Sequence, residues 1–271
     1  MREILEKVKN GVLDAVFPAT CMGCGREGKY ICQRCEGFVS EVAFICPVCE
    51  QSSFAGERHQ TCKSFYGFDG LVSIWEYEGL MKSLLHYIKY NGITHAAKET
   101  TERAFEVIGR DRERFGAFLS FLLSQDTFVT YVPMFKKKER KRGFNQAEIL
   151  ARELGKIAGK ETLCALEKIH DTKPQVELKK EERLVIVQGA FQTTLPAFAD
   201  LPAGKVGALA GRQITNPDNQ LSMVNHQWSA PQKVVLVDDV WTTGATMKEC
   251  CRVLKRAGAK EIWGLTIART P

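Results

Sequence analysis

The chain has 271 residues, of which 44% are apolar and 26% charged, and a formal net charge of +6. That is the balance of an ordinary soluble globular protein, long enough for one large domain or for a medium domain with a small one. No run approaches the roughly 18 consecutive apolar residues that a spanning helix needs, so membrane insertion is not expected.

In chain order, MREILEKVKNGVLDAVFPA reads as an amphipathic helix. It lacks the continuous apolar centre and small-residue cleavage site of a signal peptide, so a cytoplasmic location is expected.

Ten cysteines are the next signal, and seven of them fall between Cys21 and Cys62. They occur as Cys21/Cys24, Cys32/Cys35 and Cys46/Cys49, followed by His59/Cys62, each pair separated by two residues. A tight turn at that spacing presents both side chains to one ion, and two such turns complete a tetrahedron around Zn2+. Gly23, Gly25, Gly37 and Pro47 are the turn residues such knuckles use. The simplest partition joins neighbouring pairs, with Cys21, Cys24, Cys32 and Cys35 on one ion and Cys46, Cys49, His59 and Cys62 on the other. An interleaved pairing, or a single occupied site, stays open at this point. Four ligands leave no open position, so these sites read as structural. The segment has too few large apolar residues to fold alone, and metal would supply the missing stabilisation. The other three cysteines, Cys164, Cys250 and Cys251, read as core or helix.

From about Phe68 the pattern becomes strand, helix, strand, helix. LVSIWEY (Leu71–Tyr77) is rich in strand formers, and Leu80, Met81, Leu84, Leu85 and Ile88 then recur at helical spacing. Helical stretches follow from about His95 to Ile108 and through Phe118 and Leu122. TFVTYVPM (Thr127–Met134) is a short apolar strand. KKKERKR (Lys136–Arg142) follows it, basic at six of seven positions: a solvated face, or a site for phosphates or nucleic acid. Few aromatics lie near this run in the sequence to stack bases. Ala147, Leu150, Ala151, Leu154, Ile157 and Ala158 line one face of the next helix. The stretch 193–232, rich in Pro, Gly, Asn and Gln, reads as a long loop or insertion. VVLV (Val234–Val237) is a buried parallel strand, Met247, Cys250, Cys251 and Leu254 mark a helix stopped near Gly258, and IWGLTIA (Ile262–Ala268) is a last strand. The expected fold is α/β, a mainly parallel sheet flanked by helices and preceded by a small zinc-ribbon domain. The expected domains are 1–67 and 68–271.

The stretch VVLVDDVWTTGAT carries the chemistry. Asp238 and Asp239 close a buried strand, and Thr242–Thr246 form the turn into a helix. Backbone amides there, with the hydroxyls of Thr242, Thr243 and Thr246 and the close approach allowed by Gly244, suit a phosphate. The two carboxylates suit what neighbours it in a sugar phosphate: hydroxyl groups and a divalent cation. A nucleotide-hydrolysing P-loop would need a G-x-x-x-x-G-K-[ST] stretch, which neither Ala203–Val206 nor Ala158–Glu161 supplies.

Val234–Thr246 resembles the motif of type I phosphoribosyltransferases that binds 5-phosphoribosyl-1-pyrophosphate (PRPP). The paired cysteines ahead of it resemble the ComF family of competence proteins. So do Tyr77-Glu78-Gly79 with Ile88–Gly92, Val132-Pro133 with Lys141–Ala147, Thr172 with Gln175 and Leu178, Gly189-Ala190-Phe191, and Ala268-Arg269. The chain departs from that family at His59, where cysteine is usual, at Ile186, where asparagine is common, and in the length of 193–232. The resemblance implies PRPP as ligand, with Asp238 and Asp239 on the ribose as the catalytic pair and Thr242, Thr243, Gly244, Ala245 and Thr246 on its 5′-phosphate. Mg2+ and a basic loop of Lys136, Lys137, Arg140, Lys141 and Arg142 would meet the pyrophosphate, or that loop would meet DNA. It further implies handling of incoming DNA in natural transformation, with single-stranded DNA and other DNA-uptake proteins as partners. The alternative is an active phosphoribosyltransferase with an unidentified nitrogen acceptor and no role in DNA uptake.

Overall fold

The computed structural model describes residues 19–62, 64–91, 94–172, 186–194 and 233–271. The amphipathic start of the chain and nearly all of the 193–232 stretch lie outside the described residues, as do Gln175 and Leu178.

The cysteine-rich segment holds one short helix, α1 (Gln33–Glu36), and a single 3-10 turn at Phe54–Gly56. Strand β1 (Gly70–Glu76) then leads into α2 (Gly79–Asn91), α3 (Thr94–Arg110) and α4 (Arg112–Leu123). Strand β2 (Thr127–Tyr131) is followed by α5 (Lys136–Arg142) and α6 (Gln146–Ala158). Two short strands, β3 (Leu166–Lys168) and β4 (Phe191–Thr193), pair antiparallel. The chain closes with β5 (Lys233–Trp241), α7 (Ala245–Arg256) and β6 (Glu261–Arg269).

The four longer strands form one sheet in the order β1-β6-β5-β2, parallel at every contact. Central strand β5 shows why its sequence is an unbroken apolar run. Val235 and Val237 pack into the core beneath α2, α3, α4 and α6, while Val234 and Leu236 pack on the other face with Cys250, Cys251 and Leu254 of α7. A strand covered on both faces needs apolar residues at both parities.

Local chemistry sets the helix ends. Asp111 caps α4 by accepting from Arg114 N at 3.0 Å, and Asn145 caps α6 by accepting from Ala147 N at 3.1 Å. Beyond α7, Gly258 N donates to Lys255 O at 3.0 Å and Ala259 N to Leu254 O at 3.1 Å, the paired bonds of a Schellman stop, with Gly258 at φ 106°. Ile157 departs from expectation: it is 40% exposed, because it sits at the margin of the α6 stripe that Ala147, Leu150, Ala151 and Leu154 bury. Cys164 departs too; it is exposed and lies in neither helix nor strand, whereas Cys250 and Cys251 are buried in α7.

The cysteine-rich segment docks on the sheet rather than hanging beside it. Residues 40–42 run antiparallel along the edge of β1, with Val42 N donating to Ile74 O at 3.0 Å and Glu76 N to Ser40 O at 2.9 Å. Ile31 enters the main core, and Met22, Tyr30, Val39 and Phe44 pack against it. Its few large apolar residues are therefore spent on docking, which also hides an otherwise open sheet edge.

Candidate functional site

Strand β5 carries Asp238 and Asp239 past the buried core toward its carboxyl end, in register with β6 as far as Trp241 opposite Arg269. The turn is shorter than the sequence suggests. It comprises Thr242–Gly244, and Ala245 and Thr246 already belong to α7. Gly244 stands at φ 66°, and a Cβ there would lie 2.1 Å from the Trp241 ring. Glycine is thus required twice, by backbone conformation and by space. The Trp241 indole, buried edge-on to Phe68 at 5.9 Å, forms the floor under the turn. Thr270 holds the turn from above: its N–H donates to Trp241 O at 3.0 Å and its hydroxyl to Thr242 O at 3.1 Å. The Thr243 hydroxyl accepts from Ala245 N at 3.4 Å, and the residue that precedes α7, Gly244, has no side chain with which to cap it. The first turn of that helix therefore presents backbone amides toward the end of the sheet where the carboxylates lie.

The aspartates are held differently. Asp239 N donates to the Asp238 carboxylate at 2.9 Å, and Gln146 Nε2 donates to Asp239 Oδ2 at 3.0 Å. Burial pushes the Asp238 carboxyl well above the usual carboxylate range, and the charge of Asp239 pushes it further; the Asp239 amide and the Lys89 charge oppose this. A carboxyl raised in this way beside a second carboxylate is the kind of group that marks a ligand site.

Three neighbours of the pair have no motif of their own in the sequence. Gln146 and Lys89 stand inside family-like stretches, and Lys168, on β3, stands in none. Its ammonium donates to the Thr172 hydroxyl at 2.8 Å and lies 5.2 Å from the Phe191 ring. Burial and Lys138 lower its pKa, while Cys250, Asp171 and Asp238 work the other way. The β3–β4 pair that brings it there is only three residues a side, too short for periodicity to reveal.

The basic run is a helix, α5, and not the expected loop. It ends at Gly143, in the left-handed region at φ 91°. Two of its lysines are engaged: Lys136 with Glu167 at 2.5 Å, and Lys138 with Asp171 at 2.5 Å and with Thr172 O at 2.9 Å. Lys137, Arg140 and Lys141 are exposed and make no ion pair among the described residues. Arg142 is half-buried and donates to Gln146 Oε1 at 2.6 Å. Hydrogen bonds therefore link this helix to Asp239 through Gln146.

The cysteine pairs assemble by neighbours. Cys21, Cys24, Cys32 and Cys35 form one group, and Cys46, Cys49, His59 and Cys62 a second, each with ligand atoms within 4.8 Å of one another. Cys24 and Cys32 sulfurs lie 3.7 Å apart, close to the ~3.8 Å edge of a tetrahedron with zinc–sulfur bonds of about 2.3 Å. His59 Nδ1 lies 3.4 Å from Cys49 Sγ and 3.8 Å from Cys62 Sγ, while Nε2 meets Ser52 O at 3.0 Å. That second contact fixes which ring nitrogen faces the thiols. Gly23 has its own reason: a Cβ there would sit 2.8 Å from Cys35 Sγ. Burial raises the Cys21 thiol, but amides of Cys32, Cys24 and Gly23 outweigh it and bring it to about 6; amides around Cys46 likewise bring that thiol to about 7. Burial and the neighbouring thiols push Cys35 and Cys62 the other way, so each set holds one thiol that ionises readily beside one that does not. Both sets fit structural Zn2+ as four soft ligands in a closed arrangement.

Residues 140–270 match the family model of the phosphoribosyl transferase domain. Along most of its length the chain is also similar to competence protein ComFC of Bacillus subtilis, at 24% identity over 89% of this chain and 84% of the relative. It is 26% identical to ComFC of Streptococcus pneumoniae over 88% of this chain and 87% of that one. The DNA utilization protein YhgH of Salmonella typhi is 24% identical over 89% and 90%. Over most of its length, then, the chain is similar to proteins named for competence and DNA utilization. In this chain the matched domain takes in β5, its turn and α7, and begins inside α5. Among the described residues no helix is long and apolar enough to cross a membrane.

Proposed function

We propose that this ComF-family chain binds PRPP at the end of β5 and serves in the cytoplasmic handling of DNA taken up by the cell. One observation carries the first half: two adjacent carboxylates, the first raised by burial and by the second, followed by a glycine-requiring turn into a helix, within a phosphoribosyl transferase domain. The helix amides and the hydroxyls of Thr242, Thr243 and Thr246 would take the 5′-phosphate, and Asp238 and Asp239 the ribose hydroxyls. Mg2+ would neutralise the pyrophosphate when bound. Lys137, Arg140 and Lys141 are the cations of α5 left for pyrophosphate or DNA, and Arg142 is turned toward Gln146. The names of the relatives, competence and DNA utilization proteins, support the second half, with other DNA-uptake proteins as partners. Zn2+ in both cysteine clusters would hold the amino-terminal segment to the sheet.

The β3–β4 pair favours a second reading, turnover with a nitrogen acceptor. It carries Lys168 within electrostatic reach of Asp238. Displacement of pyrophosphate from the anomeric carbon passes through an oxocarbenium-like state, which the carboxylates would stabilise while holding the ring.

Equilibrium binding tests the proposal. PRPP with Mg2+ should bind, ribose 5-phosphate should compete, and ribose alone should not. Competition by ribose equal to that by its phosphate would remove the phosphate cradle. Pyrophosphate release across a panel of bases, amines and nucleic acids separates the readings: release with one acceptor makes it an enzyme, and binding without release a ligand-binding module.

A further inference from the structure

The aromatics that flank Lys136–Arg142 in sequence, Phe135 and Phe144, are half-buried, and Phe144 packs against the core, but the fold supplies an exposed one. His86 and Tyr90 lie four residues apart on α2, so their rings meet on its surface, 4.3 Å between centroids and 38° between planes. The Tyr90 side is 63% exposed. The guanidinium of Arg142, the last residue of α5, lies 5.9 Å from the Tyr90 ring. Along α5 the exposed Lys137, Arg140 and Lys141 make no ion pair among the described residues. An exposed ring held by its neighbours thus stands at the end of a row of unpaired cations.

A lone exposed tyrosine needs no explanation. This one is steadied by an imidazole and a guanidinium, and the adjoining cations lack the carboxylates that balance most surface lysines. The two features together select an occupant. An acidic peptide would use the cations and leave the ring idle. Duplex DNA would use the cations too, but its bases are stacked away from the ring. A single strand offers phosphates at backbone spacing and an unstacked base face. We propose that single-stranded nucleic acid binds across α5 and the carboxyl end of α2, its backbone on Lys137, Arg140 and Lys141 and one base stacked on Tyr90. This gives a place to the nucleic-acid half of the function proposed above; it does not rest on PRPP.

The test is fluorescence anisotropy of a labelled single-stranded oligonucleotide with the full chain, without PRPP. Tyr90→Ala should weaken binding about tenfold, and Tyr90→Phe should bind as the wild type does. A strand of abasic sites should bind both proteins equally. Tyr90→Ala should leave the salt dependence unchanged, whereas Lys137→Ala and Lys141→Ala should each reduce the slope of log K on log salt by about one. Equal affinity of Tyr90→Ala and wild type overturns the proposal. So does the same loss with the abasic strand, which would make Tyr90 a structural residue, or the same Tyr90 dependence with duplex. A failure to bind PRPP leaves every one of these readings intact.

Discussion

At Asp238 function and stability oppose each other. Its carboxyl is raised by burial and by Asp239, so it gives up its proton less readily in the fold than in the unfolded chain. The sign follows: above the ordinary carboxylate range the unfolded chain is ionised first, and stability falls as pH rises toward the folded value. Asp238→Asn keeps a side-chain oxygen for the Asp239 amide and removes one of two like charges. It should raise the midpoint of thermal unfolding at neutral pH by about 2–4 °C, on the order of 1 kcal/mol, and the gain should vanish in acid. A midpoint that drops at neutral pH would show that the carboxylate is already compensated. Part of this scale was legible: the grouping of the cysteines with His59 follows their spacing, and the need for glycine at position 244 follows the turn that the motif announces. Gln146, Lys89 and Lys168 were not, because their role comes from where β3, α2 and α6 deliver them, and no local pattern records that.

Between elements, hydrogen bonds run from α5 to β5: Arg142 to Gln146 at 2.6 Å, and Gln146 to Asp239 at 3.0 Å. A ligand that draws on Asp239 must change what Gln146 offers Arg142, and so the face beside Tyr90. PRPP with Mg2+ should therefore shift the affinity for a single-stranded oligonucleotide by about fivefold or more, and Gln146→Leu should erase the shift. An equal shift in wild type and variant would place the coupling elsewhere. The strands and longer helices were readable because each buries one regular face, as α6 does with Ala147, Leu150, Ala151 and Leu154. Helix α5 escaped notice because it buries nothing, and β3–β4 because each strand is three residues long.

Over the whole molecule, the cysteine-rich segment and the sheet act on each other. Asp69 accepts from Arg58 at 3.1 Å, Lys255 at 2.7 Å and Ile262 N at 2.8 Å, and Glu99 receives the amides of Tyr30 and Ile31, both at 3.2 Å. Glu50, beside the second metal cluster, pairs with Lys248 of α7 at 2.6 Å, four residues beyond Gly244. Chelating the metal should loosen these contacts, lower the unfolding midpoint and weaken PRPP, with both effects reversed by added Zn2+. Unchanged PRPP affinity in metal-free protein would confine the clusters to stability. That the segment gathers two sets of metal-ligand side chains was legible in its spacing; that it covers the edge of β1 was not, since edge pairing depends on backbone groups common to every residue. The central claim is that Asp238 and Asp239 hold the ribose of PRPP. Calorimetric titration of Asp238→Asn/Asp239→Asn with PRPP and Mg2+, on protein shown to be folded and zinc-loaded, tests it most directly. No measurable heat of binding, against clear saturation in the wild type, is the predicted result; saturation at wild-type affinity would contradict it.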